Sequence, residues 1–368
     1  MKTNNRGKKK RWWKIPVAIL LLIILVVGGY VAYVFLSYDR IEDNKALEVQ
    51  GNAVETAASE REYTIVSYNI GFGAYTADFT FFMDGGKESR ARSKESVLES
   101  INHSGGTTLS FGPDLTLFQE VDTDSTRSWH VDEAALLRGL YDDTDSYDSV
   151  FAQNYHSAYL MVPVTKPHGA SNSGLLTESR MQISSALRRR LPIAKGLKKF
   201  LDLDRCYSVS RIPVKDGGEL VVYNVHLSAY GTDAAGGTAQ LRMLAEDMEN
   251  EYSKGNYVVC GGDFNHDFTG SSKEYFNPGT DKTYSWCQPF PGDVLPEGFR
   301  RCMDYAGKMT ATSRLTDIPY SEDSFTVILD GFIVSDNVEC SYVENIDAGY
   351  QYTDHNPVVM RFFLKPGK

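Results

Sequence analysis

From Tyr63 onward the chain is a succession of short β-rich runs. They are YTIVSYNI (63–70), DLTLFQEV (114–121), YDSVFA (147–152), SGLLTE (173–178), CYSVSRIPV (206–214), ELVVYNVHL (219–227), NYVVCGG (256–262), TVILDGFIVS (326–335) and NPVVMRFFL (356–364). Several are apolar without alternation, the pattern of strands covered on both faces or set in a sandwich core. Helical spacing is confined to a few stretches. In 238–252, Leu241, Leu244, Ala245, Met248 and Tyr252 share one side, with Thr238 placed to cap the start. Val131, Ala134, Ala135, Leu137 and Leu140 do the same within 129–140, and residues 88–102 give a fainter third pattern. Residues 270–324, rich in Pro, Gly, Asp and Ser, read as an irregular insertion. Many strands with few long helices predict packed sheets with helices outside them.

The first sixty residues follow another rule. Lys2, Arg6, Lys8, Lys9, Lys10, Arg11 and Lys14 form a basic head (1–14), and Ile15 to Leu36 then carry no charge. At helical rise those 22 residues span roughly 33 Å, enough to cross a bilayer core. A cleaved signal would have a shorter apolar region and an A-x-A site, and no such site follows. The sequence therefore predicts an uncleaved transmembrane helix over 15–36, with Trp12, Trp13, Tyr30 and Tyr33 as interface anchors. Between the span and Glu60 only Arg40 and Lys45 are basic. The excess of positive charge on the N-terminal side predicts a cytoplasmic N-terminus, a single pass through the cell membrane and an extracytoplasmic remainder. Residues 37–60, polar and aperiodic, read as a stalk leading to a folded domain over 61–368.

Hydrophobic residues make up 42% and charged residues 23% of the chain, an ordinary globular balance. The overall charge of −10 understates the domain. The first forty residues hold eight bases and one acid; setting them aside leaves 30 bases against 47 acids, a net of −17. Such a surface repels bulk polyanions unless a local patch or a metal compensates. Basic density is concentrated at Arg188–Arg190 and at Lys195, Lys198 and Lys199, read here as a solvated face. The five cysteines include no C-x-x-C, so neither a zinc site nor a full disulfide framework is signalled. Cys206 and Cys260 lie in strand-like runs and read as buried thiols, and a Cys287–Cys302 bridge is an open alternative.

The β-rich runs carry polar residues where burial is expensive. Asn69 closes the first run and Gln119-Glu120 close the second; Asn224 and His226 interrupt a third. Asp263 and Asn265 follow Gly261-Gly262, Asp330 sits among Leu329, Phe332 and Ile333, and Asp354-His355 precede the last run. Each motif alone has an ordinary explanation, such as a capped loop or an Asx turn. Six costly polar sites in one domain point to pairing or to a metal. Carboxylate and amide oxygens suit Mg²⁺ or Mn²⁺ better than Zn²⁺. In GGDFN the strand is expected to end at Cys260. The glycines would then allow a tight turn and leave room for a phosphate, Asp263 and Asn265 would face one cleft, and Phe264 would turn into the core. His103, His130, His156, His168 and His266 read as structural or surface residues.

In order, SYNI (67–70), LFQEV (117–121), SGLLTESRMQI (173–183), YNVHL (223–227), GGDFN (261–265), LDGFIVS (329–335) and TDHNPV (353–358) resemble the endonuclease/exonuclease/phosphatase superfamily, the deoxyribonuclease-I-like phosphohydrolases. The resemblance covers about residues 61–366. It implies a four-layer α/β sandwich, two central mostly antiparallel sheets flanked by helices, and hydrolysis of a phosphoester with a divalent metal, usually Mg²⁺. It implies Glu120 as the main metal carboxylate, with Asn69 and Asp354 completing the metal and water shell. Asp263 and Asn265 would hold the attacking water and the phosphoryl oxygens, His226 would donate to the phosphate, and His355 would act as base or transition-state stabiliser oriented by Asp330. Asn224, Asn265 and Arg180 would contact the phosphate. The substrate class stays open among nucleic acid, phospholipid head groups, and sugar or inositol phosphates. Two further classes compete with an enzyme: a module that senses a phosphorylated ligand, and a purely structural envelope protein.

Overall fold

The apolar runs form two facing sheets in the computed structural model, which describes residues 12–59, 61–193, 196, 199, 204–229 and 237–366. The strands are β1 (Lys45–Leu47), β2 (Val49–Gly51), β3 (Glu62–Asn69), β4 (Leu115–Asp122), β5 (Asp148–Leu160), β6 (Gly169–Ser179), β7 (Ser185–Arg190), β8 (Cys206–Pro213), β9 (Glu219–His226), β10 (Tyr257–Asp263), β11 (Phe299–Arg301), β12 (Ser313–Arg314), β13 (Thr326–Val327), β14 (Asp330–Ser335), β15 (Val338–Asn345) and β16 (Val358–Leu364). The helices are α1 (Lys14–Leu36), α2 (Lys94–Leu109), α3 (Glu133–Asp142), α4 (Gly237–Ser253) and the short α5 (Ser272–Phe276). The chain divides between Asp39 and Arg40 into two units. The first holds α1, 23 residues with none buried, long and apolar enough to cross a membrane. Residues 1–11 of the basic head lie outside the described residues, as do Lys195 and Lys198.

In the second unit one seven-stranded sheet runs β1-β7-β8-β9-β10-β14-β11 and the other runs β15-β16-β3-β4-β6-β5-β2. Each is antiparallel except for one inner pair, β9 with β10 and β3 with β4. A parallel pair cannot be joined by a tight turn, and α4 and α2 are the crossovers that join these two. Their alternate side chains explain the unbroken apolar runs. Leu117, Val222 and Val259 enter the core between the sheets, together with Ile65, Phe332 and Met360. Phe118 turns to the opposite layer, under Val97 and Ile101 of α2 and Leu137 and Tyr141 of α3. Val221, Tyr223 and Cys260 turn outward under Leu241, Leu244 and Met248 of α4. The result is the expected order of helices, sheet, sheet and helices.

Residues 37–60 are not a stalk. Their central part pairs β1 with β7 and β2 with β5, adding an edge strand to each sheet. Ala57 is fully buried, and its amide donates to Pro213 O at 2.9 Å. These three-residue strands at open edges need no apolar period, so composition alone could not reveal them. Thr238 stands within the first turn of α4 rather than capping it. Arg188 is 1% exposed and donates to Gln153 O and Asp204 O, while Arg189 pairs with Asp43 and Asp247. Much of that basic run is therefore part of the fold, not a solvated face.

Acidic residues also stabilise the frame. Glu251, near the end of α4, accepts from both terminal nitrogens of Arg211, at 2.7 and 3.0 Å, and from Lys254 and Asn256. Partial burial raises its pKa, but these bonds, led by Arg211, prevail and bring it to about 2 from an ordinary 4.5. Its contribution is complete above the unfolded value and is lost as pH falls through about 2. Glu251→Gln should therefore lower stability at neutral pH. In urea melts recorded from pH 6 down to 2, its deficit relative to wild type should shrink steadily below about pH 4.5. A deficit independent of pH would show that the carboxylate charge is not what stabilises this corner.

Candidate active site

Both parallel pairs end at one cleft, each carrying polar groups at its C-terminal end. Asn69 is the last residue of β3, and Glu120 lies near the end of β4. On the other sheet His226 closes β9 and Asp263 closes β10, and the register aligns them with Asp330, the first residue of β14. Residues at matched positions on neighbouring strands project from the same face, so His226, Asp263 and Asp330 form a row. Asp354 and His355 enter from the loop before β16.

Local backbone features present these groups. The β4–β6 register shifts between Phe118 and Val121, and Glu120 within that bulge has φ of 55°. A positive φ is unfavourable for a residue with a Cβ and is tolerated where the surroundings enforce it. The bulge turns Glu120 out of the strand's alternation and leaves it half-buried. Gly261 and Gly262 have a different purpose from the one expected, because β10 continues through them to Asp263. A Cβ at Gly262, whose φ is 143°, would lie 2.0 Å from Val225 O, and one at Gly261 would meet Phe332 and Leu117 at under 3 Å. They allow close packing against β9 and between the sheets; they do not leave a void for phosphate. Phe264 is fully buried in the α4-side core, as its place in the sequence predicts.

The polar groups form one network. His355 Nδ1 and Asp330 Oδ2 are 2.8 Å apart. Asp263 Oδ2 lies 3.7 Å from His355 Nε2, 3.6 Å from His226 Nε2, and accepts from Asn69 Nδ2 at 3.1 Å. The same Asn69 amide donates to Glu120 Oε1 at 3.3 Å, so it links the two carboxylates. Asn265, also at positive φ, donates its backbone N–H to Asp263 Oδ1 at 2.9 Å and its side chain to Leu227 O at 2.8 Å. Ser313 Oγ lies 3.4 Å from His355 Nε2.

Enclosure and like charge set the proton affinities. Burial, with the Asp330 carboxylate beside it, raises Asp263 to about 6. Burial raises Asp354 to about 7, and the nearby Glu120 adds to this against the pull of His355. Burial alone would lower His355, yet Asp330, Asp263 and Asp354 hold it up at about 10. Burial drives His226 far below its ordinary value, helped by Arg205 and the His355 cation. One imidazole is thus held charged and its neighbour neutral.

The residues present fit a divalent cation. The Glu120 carboxylate raises the cost of ionising Asp354, a repulsion that a dication would relieve, and the donors of both are hard oxygens. Asp263, Asp330 and His355 also lie close enough to share a metal. The direct Asp330–His355 bond accounts for that group without a metal, as a carboxylate orienting a charged imidazole.

Asn69, Glu120, His226, Asp263, Asn265, Asp330, Asp354 and His355 are brought together; two expected phosphate contacts are not. Asn224 is fully buried between the sheets. Its amide nitrogen faces Phe118 O, Leu176 O and Thr177 Oγ1, and its oxygen accepts from Gln119 at 2.9 Å. Arg180 lies with Asp145, 3.1 Å away, and Tyr147. Neither is a phosphate ligand in this arrangement. The sequence reading missed Arg127. It is buried, bonded to Asp122 at 2.8 and 3.0 Å, and stacked over Phe72 with 3.9 Å to the ring centre. Its charge reaches both Glu120 and His226. Its only signal is a lone base just beyond LFQEV, in a loop without periodicity.

A sequence model of the Endonuclease/Exonuclease/phosphatase family matches residues 66–347. No curated protein sequence is significantly similar to this chain. Among solved structures, an endonuclease/exonuclease/phosphatase from Beutenbergia cavernae DSM 12333 superposes with a TM-score of 0.54 at 17% identity, covering 83% of this chain and 72% of its own. An endonuclease/exonuclease/phosphatase family protein from Leptotrichia buccalis C-1013-b gives 0.53 at 16% identity, covering 82% and 99%. ANGEL2, a 2',3'-cyclic phosphatase solved with adenosine-2',3'-vanadate, gives 0.53 at 15% identity, covering 86% and 99%. At these identities the likeness is one of fold.

Proposed function

Because the chain belongs to the endonuclease/exonuclease/phosphatase family, we propose that it is a membrane-anchored, outward-facing, Mg²⁺- or Mn²⁺-dependent phosphoesterase that cleaves a phosphodiester or phosphomonoester by attack of water. The observation that carries this reading is the in-register row His226, Asp263, Asp330 with His355 closing onto it. A decayed binding module would have no reason to keep every member of that row, and loops in a structural protein need no charged imidazole.

Glu120 and Asp354 would hold the cation, with Asn69 fixing the angle of Glu120; when bound, the metal supplies charge neutralisation at phosphorus and a more acidic water. Asp263 and Asn265 orient the attacking water. Asp330 accepts a hydrogen bond from His355 Nδ1 and fixes the orientation of the ring, leaving the Nε2 N–H for the substrate. Since this histidine is held protonated, its role here is to stabilise the developing phosphoryl charge. Neutral His226 hydrogen-bonds the phosphate from the other side.

An acidic domain whose Arg188 and Arg189 are absorbed by the fold favours a small phosphoester or a lipid head group over duplex DNA. The direct test is the full chain in detergent, assayed with Mg²⁺ or Mn²⁺ on a chromogenic phosphodiester, phosphoinositides, sphingomyelin, RNA and plasmid DNA. Chelator-sensitive hydrolysis supports the enzyme reading, and no turnover on any substrate, with no metal binding by calorimetry, rejects it. Preference for plasmid DNA would instead make the protein a nuclease. The orientation has its own test: protease added to intact cells should remove the domain beginning at Arg40. A domain protected until lysis would place it on the cytoplasmic side.

A further inference from the structure

The two sheets open at one edge on β11 and β15, and a cysteine stands on each side of that opening. Cys302 follows β11, is 2% exposed, and donates its N–H to Phe332 O at 2.8 Å. Cys340 lies on β15 opposite Phe362, half-buried, where a bulge follows before Tyr342. The chain leaving Cys302 crosses from one sheet to the other, since Tyr305 bridges Val343 and the Ala306 N–H donates to Val343 O at 3.0 Å. Cys302 and Cys340 pack in the same inter-sheet core, each three residues before the parallel Tyr305–Val343 bridge, which sets them side by side; the Cys340 thiol faces Tyr342 O at 3.6 Å. The remaining cysteines lie elsewhere: Cys260 under α4, Cys206 with Ala152 and Leu175, and Cys287 with Phe325 and Leu329. This separates Cys287 from Cys302 and sets aside a bridge between them.

We infer that Cys302 and Cys340 are a redox-active pair whose oxidation joins the free edges of the two sheets by a disulfide. The half-buried Cys340 is the reachable nucleophile. The neighbouring Cys302 thiol, with Arg300 nearby, draws its pKa down. Burial in apolar layers pushes Cys206 up to about 12 and Cys260 higher still, and neither has a cysteine in its cluster with which to form a bridge. The oxidant is a small or protein disulfide, glutathione disulfide in the simplest case. The Cys340 thiolate attacks one glutathione sulfur and expels a glutathione thiolate. Cys302, losing its proton to solvent, then attacks Cys340 Sγ and expels the second. Two protein thiols are oxidised, one glutathione disulfide is reduced to two glutathiones, and no other reactant is needed.

The bond would close a loop that carries both Ser313 and Asp330, tethering the His355 side of the cleft to the sandwich edge. Its formation in the cell rests on the outward orientation proposed above, where the surroundings are oxidising. The pairing itself rests on neither orientation nor activity, so the experiment below can fail without touching either.

The full chain in detergent is incubated with glutathione disulfide, alkylated, and digested without reductant for mass spectrometry. The expected result is a Cys302–Cys340 linked peptide, a fall from five to three free thiols, and a thermal midpoint raised by about 5–10 °C. A reductant should reverse all three changes, and Cys340→Ser should show none of them. Five alkylatable thiols after oxidation, a Cys287–Cys302 link, or a glutathione adduct that persists on Cys340 would each overturn the inference.

Discussion

Glu120→Ala should abolish metal-dependent hydrolysis while leaving the fold in place. The bulge that presents Glu120 is built by the backbone of β4 and its shifted pairing with β6, not by the carboxylate. Alanine accepts the φ of 55° no worse than glutamate. Asn69 loses the longer of its two amide bonds, 3.3 Å to Glu120, and keeps the one to Asp263 at 3.1 Å, which holds its side chain in place. Removing the carboxylate best placed to hold the cation should lower kcat/KM by about 10³-fold or more. Circular dichroism and the thermal midpoint should stay close to wild type. Titrating Mg²⁺ against initial rate is the decisive measurement, and a near wild-type rate at limiting metal would move the metal site elsewhere.

His355→Ala is expected to lower kcat by about 10²–10⁴, the loss that follows when a positioned charged donor to the transition state is removed. Asp330→Asn should cost about 10²-fold or more on its own. Its amide cannot hold the imidazolium charged, and the carboxylate that raises His355 to about 10 is gone. The double variant should be far less than multiplicatively worse, because 2.8 Å separates two groups that act as one unit. Fully multiplicative losses would show that Asp330 and His355 work independently and would end the dyad assignment.

The sequence made the site legible where a polar residue broke an apolar strand, because such residues are too costly to bury without purpose. Asn69, Asp263 and Asp330 stand out for that reason. Asn224 shows where the rule fails. It has the same signature and an equal desolvation cost, but that cost is met by Gln119 and backbone carbonyls between the sheets. A one-dimensional pattern does not separate a polar side chain at the cleft, such as His226, from one two residues deeper along the same strand. Arg180 failed for a simpler reason: it lies beyond the end of β6, where strand alternation no longer fixes a direction. Arg127 was invisible because its loop has no period. In the fold, the long central strands and the crossover helices were readable from their periods. The edge strands β1 and β2 were not, since three residues with only one turned to the core (Leu47 in β1, Val49 in β2) have too little pattern to distinguish them from linker.

The last strand has a consequence for how the protein is made. β16 lies between β15 and β3, pairing Val358 with Ser67, and Asp354 and His355 are carried on the loop that leads into it. A ribosome must therefore release β1 through β15 before the site's final two residues can take their places. Until then β3, close to the start of the domain, waits without one of its neighbours. No nascent fragment that stops short of β16 holds a complete site, so hydrolysis becomes available only once that strand has been made and has inserted beside β3.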